Sequence, residues 1–121
     1  VWRFESYALT SGEQAPLKPA WGAMESPFVV KKDGCYYLFV TYTDCSNETY
    51  NDTLVFCSDD PTRFGEYNGE GEGAKPITRL YAHAPEILEA DGQWFITTCG
   101  WRRKPAPHKG AVSIAPLEWK E

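Results

Sequence analysis

Apolar residues in this chain come in short runs, and two pairs of these runs each flank an Asp-Gly dipeptide. Pro27–Lys31 and Tyr36–Thr41 enclose Asp33-Gly34, and Pro85–Glu89 and Trp94–Thr98 enclose Asp91-Gly92. A tight primed turn needs positive φ at both central residues, which Asp tolerates and Gly adopts freely, so each set predicts an antiparallel hairpin. The flanking runs are almost continuously apolar rather than alternating, the pattern of strands covered on both faces. No stretch follows the 3.6-residue period of an amphipathic helix, so no helix is predicted.

The two hairpins are copies of one unit. Glu25-Ser26-Pro27-Phe28-Val29-Val30 falls on His83-Ala84-Pro85-Glu86-Ile87-Leu88 at an offset of 58. The match runs on without a gap, Lys31-Lys32-Asp33-Gly34-Cys35-Tyr36-Tyr37-Leu38 over Glu89-Ala90-Asp91-Gly92-Gln93-Trp94-Phe95-Ile96. Proline recurs at a strand's beginning, where a ladder donor can be spared. Each hairpin is followed by a third predicted strand, Leu54–Ser58 or Ala111–Ala115. Beyond it comes a turn (Asp59-Asp60-Pro61 or Pro116-Leu117-Glu118) and then an aromatic, Phe64 or Trp119. Trp2 with Arg3–Tyr7 reads as the outer strand of a preceding unit.

Four-stranded units at this spacing predict blades of an all-β propeller. The expected organisation is an outer strand in residues 1–10, a complete blade in 21–80 and most of the next in 83–119. A β-sandwich of two similar hairpin pairs is the competing architecture. A two-blade piece leaves faces and edges open. The expectation is therefore that further blades are missing at both ends or that chains self-associate over the open faces.

Composition narrows the function. Of 121 residues, 42% are hydrophobic and 15% aromatic, which fits a folded domain. The net charge of −5 argues against a nucleic-acid partner, but leaves a neutral polymer such as a polysaccharide open. No apolar run is long enough to span a bilayer and no signal peptide is visible, so no membrane partner is expected. The compartment stays open between bacterial cytoplasm and secretion. Cys35, Cys45, Cys57 and Cys99 match no zinc spacing. The four read as reduced structural thiols, Cys57 and Cys99 lying in apolar runs, although an even count in a secreted chain would suggest two disulfides. Asn47-Glu48-Thr49 and Asn51-Asp52-Thr53 fit the glycosylation sequon and mark an exposed loop.

Candidate chemistry gathers at one end of the predicted blades. The residue opening the innermost strand faces the central funnel, and this position is Glu25 in one unit and His83 in the next. Glu25 reads either as a rim carboxylate bonded to loop amides or as a general acid whose proton affinity burial raises. His83 reads either as a backbone-bonded histidine or as a partner in the pocket. Glu86 is a further candidate on the same strand. Trp21 and Met24 from the incoming loop are expected at the same end. So are Tyr42, Thr43, Asp44 and Tyr50 from one turn, and Trp101, Arg102 and Arg103 from the other. Aromatic rings with a few polar groups suit a sugar's C–H face and hydroxyls, though tryptophans at turn ends also serve to cap a core. There is no nucleophilic Ser-His-Asp pattern, phosphate loop or metalloprotease motif. Glu66–Gly73 lacks the alternation of a calcium loop and reads as a solvated turn.

Glu25-Ser26-Pro27-Phe28-Val29-Val30 with Asp33-Gly34-Cys35-Tyr36-Tyr37-Leu38-Phe39 resembles the acid-bearing blade of the five-bladed glycosidases of the glycoside hydrolase family 43 and 32 superfamily. Leu54–Pro61 with Phe64 resembles the end of that blade. His83-Ala84-Pro85-Glu86-Ile87, Asp91–Phe95 and Ala111–Trp119 resemble the next, so the likeness runs from about Trp21 to Trp119. The resemblance implies a partial chain of an arabinanase-, β-xylosidase- or β-fructosidase-like enzyme that hydrolyses a plant-type oligo- or polysaccharide. Glu25 would be the proton donor. His83, near the axis in some relatives, would bind substrate together with Trp21, Tyr42, Trp101 and Arg102. The two aspartates of the family's pocket have no counterpart in this sequence, so the chain alone is expected to be inactive. No cofactor is implied beyond a structural calcium in the full propeller. The alternative is a non-catalytic carbohydrate-binding or propeller-assembly domain.

Overall fold

A computed structural model describes residues 8–11, 22–44, 49–67, 73–99 and 112–120. Every regular element among them is a strand: β1 Leu9–Ser11, β2 Gly22–Lys32, β3 Cys35–Asp44, β4 Thr49–Ser58, β5 Gly65–Tyr67, β6 Thr78–Tyr81, β7 Ile87–Ala90, β8 Gln93–Cys99 and β9 Val112–Pro116. They form an antiparallel four-stranded sheet in the order β2-β3-β4-β6 and an antiparallel three-stranded sheet β7-β8-β9. A short parallel pair, β1-β5, completes the set. The chain is all-β, and the two stacked sheets agree with a partial propeller.

Both hairpin turns form at the Asp-Gly pairs. Asp33 and Gly34 have φ of 50° and 82°, and Asp91 and Gly92 have 52° and 80°. Both central residues are left-handed, as a primed turn requires. The duplication extends to a backbone feature that the sequence does not announce. Ser26 and Ala84, equivalent residues before the repeated prolines, have φ of 53° and 49°. In the first unit this marks a bulge, because the register passes from Glu25↔Thr41 to Phe28↔Phe39. The bulge absorbs Ser26 and Pro27, and Pro27 has no N–H to lose.

The first sheet is covered on both faces. On one, Leu38, Val40, Leu54 and Phe56 pack with Phe64 and Tyr67 beneath the β1-β5 pair. On the other, Phe39 and Val55 join Phe28, Val30, Tyr37 and Leu80 against Ile87, Trp94, Ile96, Leu117 and Trp119 of the second unit. Trp119 is the hinge of that contact, with its ring 4.8 Å from Tyr37 and 5.4 Å from Trp94 between centroids. Leu54 is wholly buried, and burying such a side chain contributes roughly 1.5–3 kcal/mol.

Several expectations need correcting. The expected outer strand at Trp2–Tyr7 lies outside the described residues, and after it Leu9–Ser11 pairs in parallel with Gly65–Tyr67. Glu66 stands in that short strand rather than in a turn, and its neighbour Tyr67 is buried. The first sheet's fourth strand is β6, which follows directly from Ile77, whose N–H bonds to the Val55 carbonyl at 2.7 Å. Two-sided burial holds for β3 and β4 but not for the second sheet, where Leu88, Val112 and Ile114 are exposed.

The thiol reading also fails for two cysteines, because Cys35 and Cys57 form a disulfide between β3 and β4. Cys57 stands opposite Tyr37 in the ladder, two residues from Cys35 and on the same face. Their Cα atoms are 6.2 Å apart, within disulfide reach. Cys57 belongs to an apolar run, yet its side chain is exposed near the strand's end. Cys45 lies outside the described residues.

Candidate functional site

Glu25 lies within β2, just before the bulge, and its ladder partner is Thr41. It therefore shares a face with Phe39 and Val55, the face that meets the second unit. His83 lies in the irregular segment that joins β6 to β7. Their side chains converge, with His83 Nε2 3.9 Å from Glu25 Oε1. That separation exceeds a hydrogen bond, so the contact is a charge pair when the imidazole is protonated. Glu25's side chain is 49% exposed and His83's 16%. The carboxylate can reach a ligand, while the imidazole stands more deeply enclosed.

The backbone beside each member of the pair is constrained. Ser26 and Ala84 hold positive φ without being glycine and directly precede proline, a combination that costs about 1–3 kcal/mol per residue. Such strain persists only where surrounding contacts over-determine it, and here it recurs beside both site residues. In the second unit those contacts are clear. His83 N–H donates to Thr98 Oγ1 at 2.8 Å, and Thr98 Oγ1 donates back to the His83 carbonyl at 3.3 Å. Glu86 N–H donates to Thr97 Oγ1 at 3.1 Å, and Thr97 N–H donates to the Glu86 carbonyl at 2.9 Å. Pro85, between them, is buried.

Beside Glu25 opens a cavity of about 300 Å³ lined by Met24, Pro27, Val29, Leu38, Val40 and Phe64 among others. Its size is at the small end for ligand pockets, and its wall is mostly apolar. Leu38, Val40 and Phe64 belong to the core on the face turned away from the second unit, so this cavity and the Glu25–His83 contact lie on opposite faces of the first sheet.

The other candidates divide. Trp21, Trp101 and Arg102 lie outside the described residues. Tyr42 is not in a turn facing the pocket. It lies in β3, pairs with Met24, and packs edge-on against Tyr67 with centroids 5.4 Å apart. Its register puts it on the opposite face from Glu25 and Thr41. Met24 likewise packs towards that first core. Glu86 is exposed and precedes β7. Among the described residues no three His, Cys, Asp or Glu side chains group closely enough to hold a metal ion. Among them, too, no helix is long and apolar enough to cross a membrane. The residues that sequence reasoning missed are Thr41 and Thr53, both fully buried. The only signal was a hydroxyl at the edge of each apolar run.

The fold and site define an all-β chain with a duplicated sheet unit and a carboxylate–imidazole pair where the units meet. In comparisons with models of known protein families and with curated proteins, the chain matches none.

Proposed function

We propose that the chain is part of a glycoside hydrolase in which Glu25 is the general acid and His83 its neighbour in a sugar-binding cleft. The observation that carries this reading is the meeting of Glu25 and His83 at 3.9 Å from equivalent positions of two repeated units. In glycoside hydrolysis a carboxylic acid protonates the departing oxygen while a second carboxylate acts at the anomeric carbon or on a water. Glu25 takes the first role. The second carboxylate has no counterpart among the residues that resemble the family, so it must be supplied by further polypeptide. The substrate is an oligo- or polysaccharide of plant type. Its hydroxyls would bond to Glu25 and His83.

NMR titration of the chain with arabino-, xylo- and fructo-oligosaccharides tests the reading. Shifts centred on Glu25 and His83 are expected with one of the three series. Glu25→Gln should keep this binding within about threefold, as expected of an acid whose main work is done in the transition state. Absence of binding by all three, or shifts confined to the far end of the sheets, would overturn it.

A second reading, as a propeller-assembly domain, is favoured by the second sheet's outer face. Leu88, Val112 and Ile114 are 50%, 76% and 61% exposed there. By the repeat, Leu88 matches Val30, which is covered in the first unit by its neighbour.

A further inference from the structure

We infer that Thr41 and Thr53 are positioning residues for the Glu25–His83 pair, through a directed chain of hydrogen bonds that docks the His83 segment onto the first sheet. The two threonines face each other across β3 and β4 and are both fully buried. Thr53 Oγ1 donates to the Ala82 carbonyl at 2.8 Å. Ala84 N–H donates to Thr41 Oγ1, also at 2.8 Å. The two hydroxyl oxygens are 3.5 Å apart. Each hydroxyl has a single hydrogen, and Thr53 has committed its own to Ala82. Thr41 must therefore be the donor of the central bond. The chain runs one way, from Ala84 N–H through Thr41 and Thr53 to the Ala82 carbonyl, and members of such a chain polarise one another.

The consequence falls on His83, because the chain grips the residue on either side of it. Thr41 is also the ladder partner of Glu25. One hydroxyl thus ties the backbone of the imidazole's segment to the strand position that faces the carboxylate. Thr98 holds His83 from the second sheet, and the threonine pair fixes that segment against the first. In the second unit Cys99 and Val112 are the matching cross-strand pair, and neither carries a hydroxyl. Buried hydroxyls are costly unless bonded, and these two are bonded to the one segment that must be placed.

The inference rests on reading Glu25 and His83 as one site, but its test does not depend on sugar binding. The His83 ring resonances are followed by NMR, assigned with a His83→Gln variant. In the parent, Glu25→Gln is expected to shift them. In a Thr41→Val background the same change should move them by less than half as much, and Thr41→Ser should restore the full effect. Thr53→Val and Thr53→Ser provide the same comparison if Thr41→Val does not fold. Coupling of parental size in both valine variants would overturn the inference, as would failure of Glu25→Gln to move His83 in the parent. Oligosaccharide binding is scored separately. If coupling follows the threonine hydroxyls and no sugar binds, the positioning role stands and the glycosidase reading falls. If sugar binds and coupling ignores the hydroxyls, the glycosidase reading stands and the positioning role falls.

Discussion

Removing the Cys35–Cys57 disulfide is the perturbation whose cost follows most directly from the structure. The two residues are 22 apart in sequence. Closing a loop of that length in the unfolded chain removes entropy worth roughly 3 kcal/mol at 25 °C. Little packing is lost alongside, since Cys57 is exposed and Cys35 only half-buried. Strand register should survive, because Leu38 remains opposite Phe56 and Phe39 opposite Val55 in two separate cores. The Cys35→Ala/Cys57→Ala double variant should therefore keep the parent's circular dichroism while losing about 3 kcal/mol, a large share of the 5–15 kcal/mol typical of a domain. In urea, followed by tryptophan fluorescence, the midpoint should fall by roughly 1–3 M. A non-reducing peptide map of the parent should join the peptide carrying Cys35 to that carrying Cys57. Equal stability of parent and double variant would refute the entropic argument, and free thiols at both positions would refute the bridge itself.

Two further outcomes are expected. The outer face at Leu88, Val112 and Ile114 should make the chain associate with rising concentration in sedimentation velocity, and Leu88→Lys/Ile114→Lys should abolish this. A parent that stays monomeric at high concentration would count against that face as an assembly surface. Asp60 accepts from the Thr62 backbone N–H at 2.8 Å and from the Thr62 hydroxyl at 2.7 Å, with Arg63 nearby. These contacts, the backbone bond foremost, hold its carboxyl below the ordinary value of 3.8. Its stabilising effect is complete above the unfolded value and is lost as pH falls through the lower, folded one. Denaturation across pH should show Asp60→Asn less stable than the parent near neutrality, with the gap closing below about pH 4. A gap that persists unchanged in strong acid would refute this assignment.

What could be read in the sequence follows from where local chemistry determines structure. Asp33-Gly34 and Asp91-Gly92 specify their turns unaided, and each turn fixes its hairpin register, so β2-β3 and β7-β8 were legible. The third strand of the unit was expected, but the register of β3 against β4 was not legible, because the connection between them carries no comparable turn signal. The disulfide depends on that pairing. Cys57 in an apolar run looks like a core thiol until the ladder sets it opposite Tyr37, beside Cys35. Tyr42 was misplaced for a related reason. β3 continues to Asp44, past the length that its apolar run suggested, and alternation along the extra residues turns Tyr42 onto Tyr67. The β1-β5 pair is only three residues long and parallel, with no periodicity to betray it.

The site was legible to the extent that it follows from the repeat, and its asymmetry explains why. The backbones of the two units agree closely: matching turns, matching prolines, and matching strained residues at Ser26 and Ala84. The side chains at the junction do not. A faithful copy would set two carboxylates or two imidazoles near one another, and like charges at such a distance repel. Glu25 against His83 instead sets a carboxylate beside a group that attracts it when protonated. Among the described residues, the buried threonines Thr41 and Thr53 lie on the face of the first sheet that receives the second unit. The corresponding face of the second sheet presents Leu88, Val112 and Ile114 to solvent. A purely structural duplication would need only that apolar surface at both junctions. The added hydroxyls and the acid–imidazole pair coincide at one of them, which is why the junction between the sheets, rather than either sheet alone, is where function should be sought.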